Sequence, residues 1–70
     1  MKKDDIADRA RALGKRFETE GYFQRAAAAY RMAATWYESC GQNEMRDLMG
    51  LAQTRVRMKE SQRTRTGYLS

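Results

Sequence analysis

The sequence has no histidine, no proline and a single cysteine among its 70 residues. One cysteine excludes an internal disulfide and a thiolate metal cage. Because histidine is absent, Cys40 has no imidazole neighbour to activate it as a nucleophile. No apolar run is long enough to span a bilayer, and the first residues are too polar for a signal peptide. We therefore expect a cytoplasmic protein that is not an enzyme, needs no cofactor or metal and makes no membrane contact.

The lack of proline also removes the strongest helix breaker, and the chain is rich in alanine, arginine and other good helix formers. These features favour helix along the whole sequence. A chain of 70 residues allows one small domain with a core of marginal size. Small cores often gain stability from association, so we expect a homo-oligomer or a complex with a partner.

Two apolar stripes mark the stretch from Tyr22 to Cys40 as the central helix. The first stripe recurs at steps of four, three and four and comprises Ala26, Tyr30, Ala33 and Tyr37. The second stripe has a similar spacing and is turned around the helix by about one residue's rotation from the first. It comprises Ala29, Met32, Trp36 and Cys40. A helix that is apolar on two sides needs a neighbour on each flank. The sequence therefore predicts an all-α, three-helix domain in which the chain before and the chain after pack on this helix.

Glycines punctuate the predicted helices. Gly21 and Gly41 stand where left-handed residues would end the first and second helices. We predict helices at about 4–20, 22–40 and 43–60 in a domain of residues 1–60, followed by a flexible tail at 61–70. Gly14 lies inside the first helix at a cost of about 1 kcal/mol relative to alanine, which indicates that another helix approaches closely there.

The first and third helices each carry one apolar stripe at helical spacing. In the first helix the stripe comprises Ile6, Ala10, Leu13 and Phe17. In the third it comprises Met45, Leu48, Met49, Ala52 and Val56. We expect both stripes to face the central helix.

Aromatic and methionine side chains outside the most regular stripe are candidates for binding, since such residues are enriched at interfaces. We predict contacts with a partner or a second copy through Met32, Trp36, Leu51 and Met58. For Met32 and Trp36 the competing interpretation is a place in the core between the second and third helices. The net charge is +5. Most of the excess follows Thr54, and we predict that Arg55, Arg57 and Lys59 steer an acidic partner.

The same basic third of the chain supports an alternative, a regulator that binds nucleic acid through phosphate contacts. Arg55, Arg57 and Lys59 alternate by two, which scatters them around a helix, and no aromatic residues are interleaved for base stacking. These observations favour protein binding over nucleic-acid binding.

Residues 13–33 resemble one tetratricopeptide repeat, a family whose helical hairpins nest through alternating large and small residues. The matching positions are Leu13, Gly14, Phe17, Gly21, Phe23, Ala26, Tyr30 and Ala33. The resemblance implies an antiparallel helical hairpin. Because arrays need about three repeats for stability, a third helix or a second chain must close it.

The run from Phe17 to Ala34 also resembles the centre of the small regulators called PerC-like and ANR (AraC negative regulator). The matching positions are Glu18, Gly21, Phe23, Arg25, Ala26, Ala27 and Tyr30. This resemblance implies a regulatory adaptor whose partner is a bacterial or phage transcription regulator. An inhibitor of a host enzyme is a further alternative that the sequence does not distinguish from an adaptor.

Overall fold

The computed structural model describes the backbone of residues 2–69 and the side chains of residues 2–62. It contains three helices, α1 (Lys3–Glu20), α2 (Phe23–Ser39) and α3 (Asn43–Leu69). Residues 2–69 include no strand. The middle helix packs against both of the others, whereas α1 and α3 make few direct contacts with each other. The predicted all-α, three-helix fold, with a central helix between the two ends of the chain, is confirmed.

Both connections are short and end their helices in the same way. Gly21 has φ 86° and Gly41 has φ 77°, the left-handed conformation that glycine adopts without steric cost. After α1, the amide of Tyr22 donates to the carbonyl of Phe17 at 2.9 Å. After α2, the amide of Gln42 donates to the carbonyl of Tyr37 at 2.9 Å. These bonds satisfy carbonyl groups that a helix end leaves free, and they turn the chain back at once.

The core is built around the first stripe of α2. All four of its side chains are buried, and Tyr37 is one of the two largest that are fully enclosed. The cluster of buried residues comprises Ala7, Ala10, Ala26, Tyr30, Ala33, Tyr37, Met49, Ala52 and Val56. The second stripe is covered less completely than expected. Ala29 is buried, Trp36 and Cys40 are half-buried, and Met32 is exposed.

The close approach predicted at Gly14 is confirmed. A Cβ atom built on Gly14 would lie 2.8 Å from Cδ1 of Tyr30, so the ring occupies the space that a larger residue would fill. The stripe predicted for α1 is wrong at Leu13, which is exposed. Ala10 of that stripe is buried as expected, together with the small residues Ala7 and Gly14, because the bulky tyrosines of α2 fill the space between the helices.

The third helix differs from its prediction in two respects. Leu48 is exposed, while Met49, Ala52 and Val56 are buried, so only part of the predicted stripe reaches α2. The helix also continues from Glu60 to Leu69. The segment after Glu60 has no proline and no glycine before Gly67, so it contains no early stop signal. The side chains of residues 63–70 lie outside the described residues, and the predicted flexibility of the tail stays a prediction.

A tyrosine side chain links α1 to α2 at the end of the molecule where α2 connects to α3. The hydroxyl of Tyr37 donates to Oδ1 of Asp8. Burial, and then this hydrogen bond, raise the pKa of Tyr37 to about 12. The phenol is therefore neutral at physiological pH. Its hydroxyl donates a hydrogen bond, which gives the polar end of this enclosed side chain the partner it needs.

Candidate functional site

The seven residues predicted to bind a partner do not form one continuous site. Met32 lies on α2 and is 55% exposed. Trp36 is half-buried and packs against the core. On α3, Leu51 and Met58 are exposed, and Arg57 lies beside a groove. The remaining two, Arg55 and Lys59, contact α1 through ion pairs. The structure thus divides six of the seven among three parts of the surface, and Trp36 belongs to none of them.

The first part is a groove of about 510 Å³ between α2 and α3, which we call the α2–α3 groove. Its apolar lining comes from α2 and comprises Phe23, Ala27, Ala28 and Met32. Arg31 of α2 and Arg57 of α3 also line it. Neither arginine makes an ion pair within residues 2–62. Glu60 is the one carboxylate among the described lining residues, so the groove has a positive balance.

The groove follows from the sequence of α2. Ala27 and Ala28 are the small side chains in its lining, from an alanine run at positions 26–29, and the larger Phe23, Arg31 and Met32 lie around them. Small residues leave a depression, and Met32 is a flexible apolar side chain suited to adapt to a partner. The arrangement can hold an apolar side chain of a ligand and place a carboxylate near a guanidinium.

The second part lies on the exposed side of α3, where Leu48 joins Leu51 and Met58. We call it the outer face of α3. Its three apolar side chains are spaced by three and seven residues, which keeps them within roughly 80° of the helix circumference. Leu51 is 67% exposed, more than any other large apolar side chain among residues 2–62. Leu48, which was expected in the core from its place in the apolar stripe, is therefore a member of this exposed face.

The third part is a cluster of charged groups centred on Glu18 of α1, which we call the Glu18 cluster. Arg55 donates from Nη2 to Oε1 of Glu18 at 2.8 Å and from Nε to Oε2 at 2.9 Å. Lys59 donates from Nζ to Oε2 at 2.7 Å. The hydroxyl of Tyr30 donates to Oε1 at 2.8 Å. One carboxylate on α1 therefore accepts bonds from both α2 and α3.

The electrostatics of the Glu18 cluster reflect these partners. The hydrogen bond from Arg55 is the largest influence and, with those from Lys59 and Tyr30, lowers the pKa of Glu18 from 4.5 to about 2 against the opposing effect of burial. Burial, and then the bond to Glu18, raise the pKa of Tyr30. The bond to Glu18 likewise raises the pKa of Arg55. Each of these three shifts favours the usual charge state at neutral pH, a charged Glu18 and Arg55 and a neutral Tyr30, as a structural clasp requires.

Sequence reasoning did not find the Glu18 cluster. The available signal was the spacing of Arg55 and Lys59, which lie four residues apart and so share one side of a helix. Nothing local to those residues shows that their partner lies 37 and 41 positions away on α1. The pairing depends on how α1 and α3 flank α2, which is a property of the packed structure.

Within residues 2–62 the side chains offer no group of three or more histidine, cysteine, aspartate or glutamate residues that could hold a metal ion. Among the helices that the structure describes, none is long and apolar enough to cross a membrane. Cys40 is half-buried and its thiol is free.

Comparison with known proteins finds no family model that matches the chain and no curated protein or solved structure with significant similarity. The resemblances to a tetratricopeptide repeat and to PerC-like and ANR regulators therefore stay predictions from the residues quoted above.

Proposed function

We propose that this protein is a small, non-enzymatic adaptor that binds a segment of another protein in the α2–α3 groove. The segment that fits is an amphipathic helix with at least one acidic side chain. Such a helix would place its apolar side chains against Met32 and the alanines of α2 and its carboxylate near Arg57 or Arg31.

The observation that carries this proposal is the combination of Met32 and two arginines in one groove. Exposure of the apolar Met32 side chain to water is unfavourable. Contact with a partner's apolar surface would bury it and so favour binding. Arg31 and Arg57 line the same groove without an ion pair among residues 2–62, so they are available to a partner's carboxylate. Arginine is well suited to this role because its guanidinium can form two parallel hydrogen bonds.

The class of partner is proposed from the resemblance rather than from geometry. Similarity to PerC-like and ANR regulators across Glu18, Gly21 and Tyr30 supports a transcription regulator of a bacterium or phage as the partner. An adaptor of this kind would act in the cytoplasm. Inhibition of a host enzyme would use the same groove, and identification of the bound protein distinguishes the two.

The alternative, binding to nucleic acid, has less support. It depends on the basic residues of α3, and two of them, Arg55 and Lys59, already contact Glu18. A cation that is already paired with a carboxylate neutralises a phosphate less completely. Fewer of the counterions around the nucleic acid are then released, so the cation contributes less to affinity. The net charge of +5 remains compatible with an acidic protein partner.

Affinity capture from the native cell, followed by calorimetry with the captured protein, tests the proposal. We expect Met32→Glu to weaken binding by about tenfold or more, the size of loss found at interface hot spots. Leu13→Glu is the matched control, because Leu13 is a large exposed side chain on α1 and does not line the groove.

Two outcomes would contradict the proposal. One is that Met32→Glu and Leu13→Glu retain the same partner with equal affinity. The other is that the wild-type protein binds a short DNA duplex, with an affinity that falls steeply as salt rises, and captures no protein.

A further inference from the structure

The outer face of α3 carries a charge gradient along its length. Near its N-terminal end, Asp47 lies at the edge of this face with 71% of its side chain exposed, while its partner Arg46 lies toward the opposite side of the helix, within 3.8 Å of Glu38 on α2. Glu44 adds a further negative charge four residues before Leu48, on the same side of the helix. This end of the face is therefore acidic.

The other end of the same face has the opposite balance. In the Glu18 cluster two cations, Arg55 and Lys59, share one carboxylate. Both cations keep about half of their side-chain surface exposed, at 54% and 47%. This end is therefore basic. The apolar residues Leu48 and Leu51 lie between the two charged ends, and Met58 lies within the basic end.

We propose that a second copy of this chain docks on the outer face of α3, with the two α3 helices antiparallel. In that arrangement the acidic end of each copy lies beside the basic end of the other, and the Leu51 side chains of the two copies meet near the middle. A parallel arrangement would place like charges together along the whole face. Charge complementarity thus favours a second copy of the chain as the binding partner, and an antiparallel direction of its α3 helix.

The size of the face sets the strength of the contact. From Glu44 to Gln62 the helix is about 27 Å long at 1.5 Å per residue. One helical face of this length buries less than the roughly 800 Å² per partner of a standard stable interface. The dimer is therefore reversible and dissociates on dilution. It leaves the α2–α3 groove open, so it does not depend on the proposed function.

Sedimentation velocity across about 10 µM to about 1 mM protein tests this inference. The wild-type mass is expected to rise from that of the 8.1 kDa monomer toward twice that value. Leu51→Glu places a charge at the centre of the face and is expected to weaken the dimer at least tenfold. Met32→Glu is the matched control, since it adds the same charge at an exposed apolar position on α2 and should leave the dimer unchanged.

Circular dichroism confirms that each variant is folded, and Met58→Glu, which would place a negative charge beside the partner's acidic end, replaces Leu51→Glu if the latter is not. A wild-type protein that stays monomeric throughout overturns the inference. So does a dimer that Met32→Glu weakens as much as Leu51→Glu. Salt distinguishes the two directions, because screening weakens an antiparallel dimer with opposite charges in contact and strengthens a parallel one. A dimer that tightens with added salt contradicts the antiparallel arrangement.

Discussion

At the scale of single residues, Glu18 is a side chain of α1 that bonds directly to both other helices. Its side chain is only 10% exposed, and it accepts hydrogen bonds from Tyr30, Arg55 and Lys59. Exposed ion pairs contribute little to stability, but a nearly buried carboxylate depends on its partners to remain charged. The two cations are about half exposed, so solvent screening reduces what the cluster contributes.

We predict that Glu18→Gln lowers the free energy of unfolding by about 1 to 3 kcal/mol at neutral pH. Because the pKa of Glu18 is lowered from 4.5 to about 2, its contribution is fully present above about pH 4.5 and is lost as pH falls through about 2. Urea unfolding of wild type and variant at pH 7, 4.5 and 2.5 measures the difference, which should shrink at the lowest pH.

Glu20→Gln is the matched control for this prediction. Glu20 lies on the same helix and pairs with Arg16, but that pair is exposed, at 43% and 74% of side-chain surface. We expect its loss to change stability by less than about 0.5 kcal/mol. Equal effects of the two substitutions, or a Glu18→Gln difference that does not depend on pH, would show that the Glu18 cluster is not a clasp.

Two helical glycines allow a second prediction at the residue scale. Gly14→Ala should destabilise the protein by about 1 to 3 kcal/mol, because the added Cβ would lie 2.8 Å from the buried ring of Tyr30. Gly50→Ala should stabilise it by about 0.5 to 1 kcal/mol, because no atom lies within 4 Å of the added Cβ. Thermal unfolding of both variants measures the effects. Shifts of the same sign would contradict the close packing of α1 on Tyr30.

At the scale of whole helices, the sequence predicted what depends on local chemistry. The first stripe of α2 is buried as expected, since its four residues recur at a regular helical step. Gly21 and Gly41 end α1 and α2 as expected, because few other residues adopt a left-handed conformation without strain. These features can be read from neighbouring residues alone.

The errors concern which of two apolar stripes a helix turns inward. On α1 Leu13 was expected to face α2 but is exposed, while the close approach expected at Gly14 is made by Tyr30. On α3 both Leu48 and Met49 suit a core position, and only the position of α2 decides between them. Helical periodicity does not contain that information, because it describes one helix without its neighbours.

At the scale of the whole molecule, the elongated shape accounts for the exposed apolar side chains. The extents are 46 × 19 × 12 Å, and the two outer helices flank α2 with few contacts between them. Three helices arranged in this way cannot cover all their apolar residues, so Met32 and Leu51 remain at the surface. The fold thus supplies two separate surfaces, the α2–α3 groove and the outer face of α3.

The candidate site was only partly predictable for the same reason. Met32 and Arg57 were predicted to contact a partner, and the structure brings them to one groove. Arg55 and Lys59 looked equivalent to Arg57 in the sequence, yet they contact a carboxylate on α1. We therefore propose different roles for two neighbouring arginines on α3, stability of the fold for Arg55 and partner binding for Arg57.

A direct comparison of Arg55→Ala and Arg57→Ala tests that central assignment, with the melting temperature and the partner affinity of each variant measured side by side. We expect Arg55→Ala to lower the melting temperature by several degrees and to leave the affinity of the folded protein unchanged. We expect Arg57→Ala to keep the melting temperature and to weaken binding about tenfold. If the two variants lose stability and affinity to the same extent, the division between a clasp and a binding groove is wrong.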